Sequence, residues 1–579
     1  MTFKLTDLEG STTLLEARPA GLPLIRVAGP RTYALPRTAA GEDPDGFFIE
    51  AILRAGEPGS DGRAMEYRLT IDAARRIGTV NANVFGHFIE HLGRCIYGGV
   101  FEPGSALADE RGFRTDVVAA MRKIGVPLLR WPGGNFASNY HWEDGIGPPA
   151  SRPPRFDLAW RSVEPNLFGT EEFLAYCDVL STAATPCRPY ICLNTGTGTL
   201  DEAVRWLEYC NLDAEQAPSY HARWRKDLGR TTPYAVPYWG IGNEVFGAWQ
   251  VGSTTAAAYA ATCVQYARFL RAVDPTVKIV AVGADDPDWD LEVLRRTSGL
   301  IDYLSIHAYF GTDDYEGTVA GAVQLERRLR LLCSVLDVAA GMTKPSPAAR
   351  RVEADRPVEI ALDEWNIWYR GRSRPWEEFY GLKDALFAAG AFNAMYRLCP
   401  RVTMANLAQM VNALGMLHTT PEALVRSPTY HVFDLYANHT GRTVLDVALQ
   451  AEDAAARAVF SADVSVRVPG RPVPAPKIVN DVPFVDVTAT LDAAEERLSL
   501  AVVNRHRSAA ATLRVTLAGL RALGLTVYEL TGNDPLERNT VEHPDAIAPT
   551  QRRGDATAEA IQVAPMSVTI LEWTVGGAP

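Results

Sequence analysis

From Tyr67 onward, short and nearly continuous apolar runs alternate with longer stretches in which apolar residues recur every three to four positions. The short runs predict strands: VFGHFIE (84–90), VPLLRW (126–131), RPYICLN (188–194), PYWGIGN (237–243), VKIVAVG (277–283), IDYLSIH (301–307), VEIALDE (358–364) and VTMANL (402–407). The longer stretches predict helices over 113–124, 171–183, 200–210, 255–273, 291–297, 319–339 and 380–398, the first with Val117, Met121 and Ile124 on one face. Apolar strands alternating with helices belong to a parallel sheet covered on both faces. Eight such strands favour a closed (β/α)8 TIM barrel over an open doubly wound sheet. No GxGxxG follows the first strand, which weakens a dinucleotide-binding reading further.

After about Arg426 the texture changes to short alternating runs, LSLAVVNRH, ATLRVTLAG, LTVYELTG and APMSVTILEW, punctuated by Gly, Pro, Asn and Asp. This predicts an all-β sandwich, jelly-roll-like, appended to the barrel. The expected division is therefore an α/β chain with an N-terminal extension (1–64), a strand contributed to the sandwich (65–82), a catalytic barrel (83–425) and a C-terminal sandwich (426–579). Residues 1–64 fit neither pattern, and Met65 immediately precedes the first convincing strand. One reading makes Met65 the natural start; the other makes the leader a small accessory segment packed on the sandwich.

Composition narrows the partners. The 579 residues include 57 basic and 69 acidic ones, a formal charge of −12, which argues against nucleic acid or an anionic membrane and favours a neutral or cationic small substrate. Twelve Trp and 21 Tyr provide aromatic surface for a ligand. The opening MTFKLTDLEGSTTLLE lacks the basic start and apolar core of a signal peptide, and no run reaches the roughly 18 apolar residues of a membrane span, so a cytoplasmic location is expected. Eight cysteines show neither a CxxC pair nor metal-finger spacing, so reduced, mostly buried thiols are expected, with no metal and no cofactor.

In a parallel barrel, functional groups collect at the C-terminal strand ends, where the loops ring one mouth. This chain places there Glu90, Asn135 (after a PGG turn), Asn194, Asn243 with Glu244, His307, Tyr309, Glu364, Asn406 and Gln409. A lone glutamate after a strand is most often a helix N-terminal or surface residue, a lone histidine is usually structural, and PGGN alone is a turn. Solvated charges with unrelated roles have no reason to gather at strand ends. Glu244 after strand four and Glu364 after strand seven face each other across a barrel, and paired carboxylates at one mouth are what glycoside hydrolysis requires.

The segments FGHFIEHLGRCIYGGVFEP (85–103), RWPGGNFASNYHWEDGIGP (130–148), WGIGNEVFGAWQVG (239–252), SIHAYFG (305–311), DEWNIWY (363–369) and MANLAQMVN (404–412) resemble glycoside hydrolase family 51, the intracellular α-L-arabinofuranosidases. The similarity runs from about Tyr67 to the C-terminus, through YHVFDLYANH and VTILEW, both assigned to the sandwich. It implies a retaining exo-glycosidase acting on arabinose-containing oligosaccharides, with Glu244 as general acid/base and Glu364 as nucleophile. It implies a furanose pocket of Glu90, Asn135, Asn243, Tyr309 and Gln409, with His307 supporting the glutamates and Trp142 and Trp368 as apolar walls. Repulsion from ionised Glu364 is expected to hold Glu244 protonated. A homo-oligomer, commonly a hexamer, is a further implication. Val245, Phe246, Trp131 and the run ALGMLHT depart from the family pattern and bear on subsites beyond the first sugar.

Rival readings are a family 51 β-xylosidase or β-glucanase, which the same carboxylates would serve, and a carbohydrate-binding protein without catalysis. A binder has no need of a proton donor, which counts against the second. A barrel aldolase or metal hydrolase lacks support, since no strand end offers a Schiff-base lysine or a His-x-His cluster.

Overall fold

The computed structural model describes residues 2–6, 12–16, 64–342, 357–370, 376–466 and 475–577. Eight parallel strands close into a barrel: β1 (Gly86–Phe88), β2 (Leu128–Trp131), β3 (Arg188–Cys192), β4 (Tyr238–Ile241), β5 (Lys278–Val282), β6 (Tyr303–Phe310), β7 (Glu359–Ile367) and β8 (Val402–Ala408). β8 closes on β1 with Asn406 opposite Gly86.

Alternation along these strands decides what the barrel holds. Leu128, Tyr190, Tyr238, Val280, Tyr303, Ala361 and Met404 form a cluster of their own, one residue from each of seven strands, that fills the interior. Their neighbours Leu129, Ile191, Trp239, Ile279, Leu304, Ile360 and Ala405 belong to the large core shared with the surrounding helices. The same period of two carries Arg130 on β2, and Ser305, His307 and Tyr309 on β6, to the inner face above that plug. On β7 the register shifts between Leu362 and Trp365 against β8, and between Ser305 and His307 against β6. This irregularity lets the consecutive residues Asp363 and Glu364 both reach inward, a common use of a bulge beside an active site.

The second region is one continuous nine-stranded sheet, curled over a core that includes Leu69, Leu445, Leu500, Leu513 and Trp573. Met65–Thr79 lies inside it, antiparallel to Thr443–Ala451 and parallel to Ala511–Ala518. Along Arg497–Asn504, Leu498, Leu500 and Val502 point into that core while Ala501 and Val503 join the barrel core, so one face of the sheet is pressed onto the barrel.

Two elements correct the expectation from sequence. The boundary at 426 falls one helix early: Pro428–His439 is helical and packs on Leu382–Arg397, with Phe433 4.9 Å from Phe392 and the Tyr436 hydroxyl bonded to Asn393 at 2.8 Å. Tyr430, Phe433 and Tyr436 at spacings of three make a helical stripe, so YHVFDLYANH is barrel cover rather than sandwich. Tyr220–Asp227 is a second unexpected helix, too polar (YHARWRKD) to carry an apolar stripe and started by the Ser219 side chain bonding Ala222 N. Within 1–63 the structure describes only Thr2–Thr6 paired antiparallel with Thr12–Glu16; the accessory-segment and natural-start readings concern residues outside the described ones.

Candidate active site

β4 ends at Ile241 and is followed by Gly242 at φ +86° and Glu244 at φ +43°. A left-handed glutamate is strained, and such strain is concentrated at functional sites. The turn brings Glu244 over the barrel axis, where its Oε1 lies 2.9 Å from His307 Nδ1 and its Oε2 accepts from Trp249 Nε1 at 2.8 Å. Glu364 is held on Oε1 by Arg130 Nη1 at 2.7 Å and on Oε2 by the Tyr309 hydroxyl at 2.8 Å. His307 Nδ1 also lies 3.5 Å from Glu364 Oε2, and one ligand atom from each of Glu244, His307 and Glu364 falls within 4.8 Å of the others.

Behind this pair sits a buried charge network. Arg130, 1% exposed, donates Nη2 to Asn243 Oδ1 at 2.7 Å and stacks over the Phe88 ring at 4.6 Å. Asp363 accepts from Ser305 Oγ and from the Tyr190 hydroxyl at 2.8 Å, and its Oδ1 is 3.4 Å from His307 Nε2. Burial raises the Asp363 carboxyl, but Arg130 and His307 outweigh that and hold it at about 2. Burial lowers His307, yet the charge of Glu364 and bonds to Asp363 and Glu244 push it up to about 10, so its ring is an imidazolium.

That cation corrects one expectation. Burial raises the Glu244 carboxyl, but the hydrogen bond and charge of His307, then the Trp249 donor, leave it below its ordinary value. The His307 and Trp249 donors therefore hold Glu244 low, rather than repulsion from Glu364 holding it high. Glu244, His307 and Glu364 are also, among the described residues, the grouping compact enough to hold a metal ion. An imidazolium whose Nδ1 proton faces Glu244 presents no lone pair there, and the chemistry of the trio fits proton transfer better than ligation.

The far end of the pocket is built on β1. Glu90 accepts from Phe136 N at 3.0 Å, Trp160 Nε1 at 3.1 Å and Gln409 Nε2 at 3.2 Å, while its own N–H donates to Gln409 Oε1 at 2.9 Å. Burial first, then the Glu364 charge, raises it to about 8. A Cβ on Gly134 would fall 2.6 Å from Glu90 Oε2, so the PGG turn is what admits this carboxyl. Asn135 Oδ1 accepts from Asn243 Nδ2 at 3.2 Å and links the two ends.

An aromatic wall joins them along one side: Tyr309 lies edge-on to Trp368 at 5.6 Å, Trp368 is 5.6 Å from Trp376, and Trp376 is 4.7 Å from Trp160. Trp249 stands 65% exposed beside Glu244.

Nine of the ten residues expected at the site gather here: Glu90, Asn135, Asn243, Glu244, His307, Tyr309, Glu364, Trp368 and Gln409. Trp142 does not reach the carboxylates. It is 1% exposed, donates to Glu202 O at 3.1 Å and stacks on Trp206 at 6.0 Å, in an aromatic cluster beneath the helices. Asn194 and Asn406, polar strand-end residues, bond the backbone carbonyls of Tyr140 and His87 and serve the scaffold. Reasoning from sequence passed over Arg130, Asp363, Trp160 and Trp249.

A parallel barrel with two glutamates converging from β4 and β7 on one pocket defines the class of barrel glycosidases. Residues 120–321 match the α-L-arabinofuranosidase 1 domain and residues 363–567 the α-L-arabinofuranosidase C-terminal domain. The chain is 36% identical to α-L-arabinofuranosidase C of Emericella nidulans over 87% of its length and 97% of that protein. It is 33% identical to an intracellular exo-α-(1→5)-L-arabinofuranosidase of Streptomyces lividans, over 83% and 71%. The structure of the thermostable GH51 α-L-arabinofuranosidase from Thermotoga petrophila RKU-1 is similar with a TM-score of 0.79 and 42% identity, over 87% of this chain and 99% of that one. The chain belongs to the α-L-arabinofuranosidase family, glycoside hydrolase family 51.

Proposed function

We propose that the protein is a retaining exo-α-L-arabinofuranosidase that removes terminal non-reducing arabinofuranosyl residues from arabino-oligosaccharides by double displacement. The observation that carries this is the convergence of Glu244 and Glu364 around His307, with ligand atoms within 4.8 Å, beside a Glu90 bonded to Gln409 and near enough to feel the Glu364 charge. Retaining enzymes hold their carboxyl groups about 5–5.5 Å apart, and inverting ones need room for a water between them.

Glu364, bonded by Arg130 and Tyr309, is aimed at the anomeric carbon from one side. Glu244 delivers the proton to the leaving oxygen, and His307 Nδ1, 2.9 Å away, resupplies or stores it. Once the glycosyl-enzyme forms, the Glu364 charge is gone and the pair of Glu244 and His307 takes a proton from the incoming water. Asn243 is oriented by Arg130 on its oxygen, which turns its N–H groups toward Asn135 and the sugar 2-hydroxyl. Its hydrogen bond strengthens as positive charge develops on the ring. The closed far end admits one terminal sugar. A cytoplasmic location, in keeping with the intracellular Streptomyces relative, and a homo-oligomer, with a hexamer to be tested by light scattering, complete the reading.

Glu364→Ala should lower kcat on an aryl arabinofuranoside by about 10³-fold or more, with azide restoring turnover and yielding the inverted azide. Glu244→Ala should spare substrates with good leaving groups far more than natural oligosaccharides. Near-native rates in both variants, or an inverted first product by NMR in the unaltered enzyme, would overturn the assignment.

A further inference from the structure

At the opposite end of the barrel from the glutamates, a cavity of about 330 Å³ is lined by Asn81, Asn83, Phe85, Arg188, Asn438 and Arg442, among others. It lies where three pieces of the fold meet. Asn81 caps the 3-10 turn that leads into β1, and Arg188 opens β3. Arg442 stands between the helix Pro428–His439 and the sheet strand Thr443–Ala451.

The charge of this cavity runs against that of the chain. The protein carries a formal charge of −12, yet the cavity lining holds two arginines and no aspartate, glutamate or lysine. Neither guanidinium has an ion pair or side-chain hydrogen bond among the described residues, whereas Arg114 and Arg152 each engage carboxylates and backbone carbonyls. Arg442 Nη1 is a buried nitrogen with no partner. A buried donor without an acceptor is costly, and each such case calls for an explanation.

Arg442 is also held in place. Its backbone N–H donates to Leu491 O at 3.0 Å, its carbonyl accepts from Val80 N at 2.8 Å, and its guanidinium lies over the Phe85 ring at 4.7 Å. Asp434, one turn before Asn438 on the same helix, is already engaged by Lys123 Nζ and by Asn438 Nδ2. The helices Thr115–Ile124 and Pro428–His439 both end at the cavity, and their carbonyl ends offer the arginines partial negative charge. Neither arginine donates to those carbonyls, so they do not consume the donors.

We propose that this cavity is a second, non-catalytic site for a small oxyanion, a phosphate- or carboxylate-bearing molecule no larger than a sugar phosphate. Arg442 and Arg188 grip the anion by charge-assisted hydrogen bonds, and Asn81 and Asn438 border the remainder of the molecule. Its volume is at the lower end of small-molecule pockets. Because Arg442 belongs to the joint between barrel and sheet, occupation ties the two regions together and raises the unfolding temperature without touching the sugar pocket. The inference stands independently of the sugar assignment.

The test is calorimetric titration and thermal unfolding of the full chain with inorganic phosphate, a pentose 5-phosphate and a pentonate, in chloride buffer at fixed ionic strength. At least one probe should bind saturably and raise the midpoint; the arms separate phosphate from carboxylate and free anion from sugar-borne anion. Arg442→Gln should weaken binding at least tenfold. Asn438→Asp, an exposed position that puts a carboxylate into the cavity, should do the same while far-UV circular dichroism shows an intact fold. No saturable shift with any probe would overturn the proposal. So would unchanged affinity in Asn438→Asp, or an Arg442→Gln variant that is less stable but binds as before, which would make the arginines partners of the helix ends alone.

Discussion

The two ends of the sugar pocket are each organised around a buried glutamate, and they differ in what surrounds it. Glu364 at the cleavage end has a guanidinium at 2.7 Å, a phenol at 2.8 Å and an imidazolium at 3.5 Å. Glu90 at the blind end has only neutral donors, the Phe136 N–H, the Trp160 indole and the Gln409 amide, and is pushed up to about 8 by burial and by Glu364 itself. The same side chain has a guanidinium counter-charge in one place and, below about pH 8, is a neutral hydrogen-bonding group in the other. Role follows from the partners, because a buried carboxylate without a counter-charge binds a proton instead.

Arg130→Met strikes mainly the cleavage end, where Arg130 makes its direct bond to Glu364, and should have the largest effect. Breaking a buried ion pair from one side costs about 3–5 kcal/mol, since the partner charges stay buried. Here those partners are Asp363 and Glu364, left, among the described residues, with His307 as the cation beside them. Activity is expected to fall about 10³-fold, mostly in kcat, and the urea midpoint to drop. The pH dependence has a definite sign. Asp363 is depressed to about 2, so its contribution is present above its ordinary range near 3.8 and lost as pH falls through 2. Removing Arg130 should move that acid limb upward. A variant with native kcat and an unmoved limb would show that the counter-charge does not distinguish the two ends.

Glu90→Gln tests the blind end and should act on binding. Glu90 is raised from about 4.5 to about 8, so the stability it contributes is complete below 4.5 and disappears as pH rises through 8. Gln keeps an acceptor and a donor but cannot ionise. The variant should therefore gain stability relative to the parent between pH 5 and 9, measured by urea unfolding across that range. KM for an aryl arabinofuranoside should rise about tenfold, with kcat changed less. A uniform loss of stability at every pH would mean that Glu90 is charged throughout, and the contrast with Glu364 would fail.

The glutamates, His307, Tyr309 and the eight strands could be read from sequence because each leaves a local trace: an apolar run, then a polar group at its end. Arg130 left a trace as well. In LLRW it shares the period-two face of Leu128, which the barrel turns inward, but a strand read only for its apolar residues passes over it. Asp363 was hidden by the bulge on β7, where strict alternation would send either Asp363 or Glu364 outward. The lowering of Glu244 depends on His307 and Trp249 meeting it in space, and no spacing along the chain encodes that. Trp142 and Trp160 show the same limit from both sides. Trp142 sits within the segment 130–148 that resembles the family yet packs under the helices; Trp160 sits in no such segment and touches Glu90.

Trp160→Phe should have the smallest effect and probes whether the aromatic wall belongs to one end or to both. Phenylalanine keeps a ring against Trp376, 4.7 Å away, and removes only the indole N–H that Glu90 Oε1 accepts at 3.1 Å. One neutral hydrogen bond is worth about 0.5–1.5 kcal/mol, so KM should rise roughly two- to tenfold with kcat unchanged. With one donor fewer, Glu90 should titrate higher still, shifting the alkaline fall in stability upward in pH. Combined with Glu90→Gln, the loss should depart from the sum of the two, because the two residues share one hydrogen bond. If Trp160→Phe instead lowered kcat and left KM alone, the wall running through Trp376 and Trp368 to Tyr309 would act on Glu364, and the two ends would have to be treated as one electrostatic unit.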